Sequence, residues 1–335
     1  MSLEQLEISF QPQEEAGKLQ KQVLMKLEIT LPPPYESDPT YYDGNAWFAK
    51  FIWEALSEQG YTANMSLESL ILLCSTNALS DYWLDEVGWK NESRDYSVVL
   101  NTWHTVNDLL YAKLNNLPFN TESIKNDQIK NVVNLYTRAI DGTPESIRQT
   151  AIQHLILIHL YQGLTLFQEN IFREHKGLSK ISNNDLEMLK NMQIEKGGMM
   201  AMYFLAHFAD KLNVQVPSLM TLDRNYENFL TTGKIYPENG FIRLLVELGA
   251  IIQIIDDLED AEFDLNRSVI SPENLYKVTP IKERSEAIPL VVQARIHGLN
   301  NNLEYLEYAA IIELCGELFS QLAQYRSQRL LNRER

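Results

Sequence analysis

The sequence predicts an all-α fold, and three observations support this prediction. Apolar residues recur at helical spacing almost everywhere from Asn45 onward. No β-hairpin signal, such as Asn-Gly between two alternating runs, is present, and no repeat has the period of a solenoid protein. The chain has 335 residues, of which 45% are hydrophobic, enough for one large or two ordinary domains. Its helices are too many and too irregular for a simple four-helix bundle.

Two regions are predicted along the chain. Residues 1–44 form an N-terminal arm, because Pro32 to Pro34 and Pro39 prevent a continuous helix there. We expect one short helix within the arm, near residues 13–28. Residues 45–335 form the all-α domain.

The helices of this domain are placed by apolar periodicity and by capping residues. Ser66 is a typical N-cap, and Thr143-Pro144 combines a cap with proline at the first helical position. An irregular stretch rich in glycine and proline spans residues 217–239. In chain order, helices are predicted over residues 47–60, 66–81, 98–114, 122–141, 143–171, 185–212, 241–260, 280–298 and 302–330.

Composition excludes several classes of function. The chain has 29 basic and 45 acidic residues and a net charge of −16, which argues against a nucleic-acid partner. Neither the cysteines, Cys74 and Cys315, nor the histidines have zinc-ligand spacing, and we interpret His154 and His159 as packing residues. No apolar run approaches the length of a membrane span, and the N-terminus is too polar for a signal peptide. We expect a cytoplasmic protein without stable membrane insertion.

The most informative stretch is Gly249-Ala-Ile-Ile-Gln-Ile-Ile-Asp-Asp-Leu-Glu-Asp260, in which an apolar helix ends in acids. Helical spacing places Asp256 and Asp260 on one face, with Asp257 beside them. Converging carboxylates repel one another unless a cation lies between them. Oxygen ligands suit a hard ion such as Mg²⁺, which also binds phosphates. The alternative is an acidic helix end that is merely solvated.

This stretch, with Gln253 before the aspartates, resembles the second aspartate-rich motif of trans-prenyl diphosphate synthases, which belong to the class I isoprenoid synthase family. Lys196-Gly197 resembles the family's Lys-Thr loop, and Lys277-Val-Thr-Pro resembles its Gly-Lys-x-Thr-x-Pro element. Gly163-x-x-x-Phe-Gln168 is similar to its Gly-Gly-Gln stretch. The resemblance covers roughly residues 60–300. It implies a single large helical bundle of the isoprenoid synthase type, dependence on Mg²⁺, a prenyl diphosphate substrate and a homodimer.

The resemblance also implies a role for each matched residue. Asn107-Asp108-Leu-Leu is similar to a Gly-Asp-x-Leu segment of the family, which follows the first aspartate-rich motif by about thirty residues. At the corresponding distance before Asn107, this chain has Asp81-Tyr82-Trp-Leu-Asp85. The implied metal ligands are Asp81, Asp85, Asp256, Asp257 and Asp260. Diphosphate would be bound by Lys196, Gln253, Lys277 and Gln168, and the catalytic residues would be Lys196 and Asp256.

The chain departs from the family at several positions. Tyr82 interrupts the first motif, Gly197 replaces the loop threonine, and Ile171 replaces an aspartate. In the family, a basic segment near the N-terminus binds isopentenyl diphosphate. The corresponding stretch of this chain, residues 41–50, has at most one matching lysine. The sequence therefore predicts an enzyme that ionises one allylic prenyl diphosphate, with loss of diphosphate followed by prenyl transfer or cyclisation. Ordinary chain elongation with isopentenyl diphosphate, and a non-catalytic regulatory subunit of a synthase, are the alternatives.

Overall fold

A computed structural model describes much of the chain, and it divides the chain into two compact units. The described ranges are 11–26, 66–72, 87–90, 93–143, 182–197, 240–266, 270–274 and 278–333, with short pieces between 46 and 57 and between 145 and 166, and residue 234. The first unit comprises residues 1–162 and 203–213, and the second unit comprises residues 163–202 and 214–335.

The described part of the first unit contains three long helices and one small hairpin. The helices are α1 (Gln11–Lys26), α2 (Tyr96–Leu114) and α3 (Asp127–Asp141), and Thr121–Ser123 forms a 3-10 turn. The side chains of Asp95 and Asn126 accept hydrogen bonds from the first amides of α2 and α3. Two-residue strands, β1 (Trp89–Lys90) and β2 (Ser93–Arg94), pair antiparallel.

His159 in the first unit is held as a neutral packing residue. Its Nε2 lies 2.6 Å from the Trp103 carbonyl oxygen, and the Trp103 indole donates to the His159 carbonyl oxygen at 2.9 Å. Since a carbonyl can only accept, Nε2 of His159 carries the proton. Burial lowers the pKa of His159 to about 4. The packing interpretation is confirmed for this histidine, whereas His154 lies outside the described residues.

The second unit is built around one long helix. This helix, α5 (Gly240–Asn266), packs against α4 (Asn183–Lys196), α6 (Ile281–Asn300) and α7 (Ala309–Arg333), while Leu303–Tyr308 forms a 3-10 turn between α6 and α7. A capping box between Ser182 and Asp185 starts α4. The buried apolar residues of this unit include Leu244, Leu248, Ile251, Ile255, Ile288, Val292, Ile312 and Phe319.

Helix α6 continues through an internal proline because a neighbouring helix supplies the missing donor. Pro289 has no N–H and leaves the carbonyl of Ser285 without its usual helical partner. The hydroxyl of Ser327 on α7 donates to that carbonyl oxygen at 2.7 Å. The tertiary contact thus satisfies a group that the proline would otherwise leave unpaired.

The all-α prediction is confirmed for the part of the chain that the structure describes. The arm helix spans Gln11–Lys26 rather than 13–28, and α5 continues six residues beyond the predicted end at 260. The hairpin at Trp89–Arg94 was not predicted. None of the described helices is both long enough and apolar enough to cross a membrane. The isoprenoid synthase arrangement and the domain boundary at residue 45 stay predictions.

Because His159 is buried with a lowered pKa, the stability of the protein should depend on pH. The pKa of His159 is about 4 in the folded protein against 6.5 for an unperturbed histidine, so as the pH falls the unfolded chain takes up a proton before the native state does. As the pH falls from 6.5 to 4, this site should remove about 3 kcal/mol from the free energy of unfolding. Urea titrations across this range test it. His159→Gln should remove that part of the pH dependence, whereas His297→Gln at an exposed site should retain it; equal slopes in both variants would contradict the assignment.

Candidate functional site

The acids at the end of α5 lie on two different faces of the helix. Asp256 is half exposed, with 51% of its side chain accessible, and Asp260 is partly exposed. Glu259 has 0% of its side chain accessible. The periodicity expected from the sequence thus sorts these carboxylates into an outer and an inner group.

Glu259 is a structural carboxylate held by two arginines of α7. Arg326 Nη1 lies 2.5 Å from Glu259 Oε2, and Arg329 Nε donates to Glu259 Oε1. Burial by itself would raise the pKa of Glu259, but the two guanidinium groups lower it below its usual value. Glu259 is therefore ionised and already neutralised from within the protein.

Asp257 is held by two glutamine side chains. Gln193 Nε2 on α4 donates to Asp257 Oδ2 at 2.8 Å, and Gln253 Nε2 donates to Asp257 Oδ1 at 2.7 Å. The same Gln193 nitrogen donates to Glu273 Oε2 at 2.6 Å, so one amide group joins two carboxylates. Burial raises the pKa of Asp257, against the opposing influence of Lys196 and both amides.

The remaining acids form a ridge along one side of the helix. Asp256, Asp260 and Asp264 are spaced four residues apart and share this side. Burial and the charge of Asp260 raise the pKa of Asp256 to about 7, and burial with the neighbouring aspartates raises the pKa of Asp264 to about 9. Because half of the Asp256 side chain is exposed to water, the raised pKa of Asp256 is weaker evidence of crowded negative charge than the raised pKa of Asp264. Burial and Asp257 also raise the pKa of Glu273 to about 7.

Arg284 of α6 supports the acidic end of α5 from the interior. Its guanidinium is almost fully buried, and Nη1 donates to the carbonyl oxygens of Leu258 and Glu259 at 2.9 and 3.1 Å. Nη2 lies 3.9 Å from Glu262. A positive charge is therefore fixed beneath the acidic run.

The end of α4 approaches α5 at two glycines. A Cβ added at Gly197 would lie 2.5 Å from the carbonyl carbon of Gly249 and closer still to the amide nitrogen of Ala250, and a Cβ at Gly249 would overlap the carbonyl oxygen of Gly197. The backbone of Gly197 is α-helical, with φ of −58°, so glycine is required there by contact and not by conformation. This crossing sets Lys196 beside the acidic end of α5, where it acts on Asp257.

The donor atoms fit Mg²⁺ in their chemistry. Carboxylate oxygens are the ligands this ion prefers, and it is commonly held by one or two carboxylates together with substrate phosphates and water. Among the described residues, no group of three or more acids, histidines or cysteines is placed to hold a metal ion. An ion held by the ridge would need phosphate or water oxygens in addition to the carboxylates.

The structure brings together part of the predicted site. Asp256, Asp257, Asp260, Gln253 and Lys196 all lie at the end of α5 or beside it. Gln253 donates to Asp257, and its expected contact with diphosphate stays a prediction. The remaining predicted residues, Asp81, Asp85, Gln168 and Lys277, lie outside the described residues.

Several residues of the site were not found by the sequence reasoning. Asp264 continues the four-residue spacing of Asp256 and Asp260 and could have been found by that signal. Gln193, Glu273 and Arg326 come from other segments, and no local pattern identifies them.

No protein-family model, no curated protein and no solved structure matches the chain. Membership of the isoprenoid synthase family therefore stays an expectation that rests on the residues quoted above.

The glycine crossing predicts that a threonine at position 197, the residue found in the loop that this stretch resembles, will destabilise the protein. Gly197→Thr, and already Gly197→Ala, should lower the free energy of unfolding by about 3 kcal/mol or more, because backbone atoms cannot yield to the new side chain. Gly298→Ala is the matched control, since a Cβ there meets nothing within 4 Å and should stabilise the helix by up to about 1 kcal/mol. Urea unfolding of the variants measures both; a Gly197→Ala protein as stable as the natural one would show that the crossing is not tight.

Proposed function

We propose that the chain binds the diphosphate group of an allylic prenyl substrate at the end of α5 and promotes its departure. The observation that supports this proposal most is an imbalance of charge. Along the ridge, burial and neighbouring carboxylates raise the pKa of Asp256 to about 7 and that of Asp264 to about 9, while Arg326 and Arg329 make their shortest ion pairs with Glu259. Such a ridge favours an added divalent cation.

The proposed roles follow from the positions of the side chains. Asp256 and Asp260 would bind Mg²⁺, with Asp257 held ready by Gln193 and Gln253. Lys196 would add a fixed positive charge toward the diphosphate. Bound Mg²⁺ would neutralise charge on the departing diphosphate and so weaken the allylic carbon–oxygen bond.

The resemblance adds residues and a reaction class to this proposal. Asp81 and Asp85 would complete the metal site, and Gln168 and Lys277 would contact the diphosphate. The weak match to the isopentenyl diphosphate segment favours prenyl transfer to another acceptor, or cyclisation, over chain elongation. The implied homodimer belongs to the same proposal.

A non-catalytic subunit of a synthase is the second candidate. Arg326 Nη1 lies 3.9 Å from Asp256 Oδ1, so the protein supplies part of the neutralising charge that a metal would otherwise provide. A non-catalytic subunit whose carboxylates are neutralised by its own arginines, and not by a metal ion, could retain the fold and pair with an active synthase. The interrupted motif at Tyr82 favours the same alternative.

Release of diphosphate distinguishes the candidates. The protein is incubated with Mg²⁺ and farnesyl or geranylgeranyl diphosphate, with and without isopentenyl diphosphate. We expect release without isopentenyl diphosphate, whereas release only in its presence would indicate elongation. No release from any substrate would contradict an independent enzyme and support the subunit.

Two substitutions test the metal ligands. Asp256→Asn and Asp260→Asn each preserve shape and remove a charge, and each should lower the rate of release about 100-fold or more. Glu262→Gln is the matched control, because this acid lies on the same helix with 68% of its side chain accessible and away from the ridge. If the aspartate variants kept the rate of the control, the proposed metal site would be wrong.

A further inference from the structure

A second charged network joins the end of α4 to the first half of α5. Arg243 Nη1 lies 2.6 Å from Glu195 Oε1, and its Nε and Nη2 donate to Glu247 Oε1 at 2.9 and 2.6 Å. Arg295 of α6 contacts the other oxygen of Glu247 at 3.2 Å. Glu195 has only 1% of its side chain accessible, so its charge depends on the arginine for compensation.

This network lies on the opposite side of the glycine crossing from the acidic ridge. Along α5, Arg243 precedes Gly249 and Asp257 follows it. Along α4, Gln193 contacts Asp257 while Glu195, two residues later, contacts Arg243. The last turn of α4 therefore contacts α5 on both sides of Gly249, and Lys196 follows Glu195 in that turn.

We infer that Arg243 is a positioning residue for Lys196. Without the guanidinium, Glu195 would lose the ion pair that holds the last turn of α4 against α5, and Lys196 belongs to that turn. By pairing with Glu195, Arg243 keeps the charge of Lys196 directed toward Asp257 and toward a bound diphosphate. The ligand part of this inference rests on the proposed function, whereas the pairing of Arg243 with Glu195 does not.

The test is a double-mutant cycle read by binding. Calorimetry measures the affinity of the full chain for inorganic diphosphate in the presence of Mg²⁺. Arg243→Ala should weaken binding about tenfold, and in a Lys196→Ala protein the same change should have no further effect, within about twofold. Arg243→Lys should recover part of the loss, because it restores the charge but not the fork of donors.

Arg295→Ala is the matched control. This arginine contacts Glu247 of the same network, with 35% of its side chain accessible, and its loss should leave the affinity for diphosphate unchanged. Independent losses of affinity for Arg243→Ala and Lys196→Ala, or an equal loss in Arg295→Ala, would overturn the positioning role.

Hydrogen exchange separates failure of this inference from failure of the proposed function. Amides of residues 193–197 should exchange faster in Arg243→Ala and at the natural rate in Arg295→Ala. If the natural protein binds no diphosphate, the proposed function fails, and the claim about diphosphate fails with it. Unchanged exchange in Arg243→Ala would overturn the pairing itself, whether or not diphosphate binds.

Discussion

Electrostatic repulsion at the end of α5 is the constraint on which the second unit depends. An apolar helix delivers several carboxylates to a partly buried position, and each neighbouring helix contributes a group that moderates their charge. Helix α4 supplies an amide and an ammonium, α6 supplies a guanidinium, and α7 supplies two more. These groups are Gln193, Lys196, Arg284, Arg326 and Arg329. Removing Glu259 would take from Arg326 and Arg329 the carboxylate with which they make their shortest ion pairs, so the packing and the site share one cause.

The compensation is uneven, and this unevenness gives the site its proposed chemistry. Glu259 pairs with two arginines of α7 and so joins α7 to α5, whereas Asp256 and Asp264 on the ridge retain raised pKa values. The inner face thus stabilises the fold, and the outer face carries the carboxylates that we propose to bind a cation. Structural stabilisation and the proposed cation binding are assigned to different faces of one helix, because successive side chains point in different directions.

Local spacing in the sequence was enough for part of this arrangement. The helices follow from apolar periodicity, and the common side of Asp256 and Asp260 follows from their separation of four. The partners of Glu259 could not be predicted from spacing, because Arg326 lies 67 residues later in the chain. Gly197 appeared to be a lost threonine, yet its reason is steric and lies in Gly249. The amide bridge of Gln193 likewise depends on contacts that form only after the helices pack.

Manganese binding tests the central claim most directly, since Mn²⁺ accepts the same oxygen ligands as Mg²⁺ and is visible by electron paramagnetic resonance. The number of bound ions is measured with and without inorganic diphosphate, in the natural protein and in Asp256→Asn/Asp260→Asn. An open ridge predicts that diphosphate increases the bound Mn²⁺ in the natural protein and that the double variant loses this increase. Equal binding by the two proteins, or no increase with diphosphate, would contradict a metal site at the end of α5.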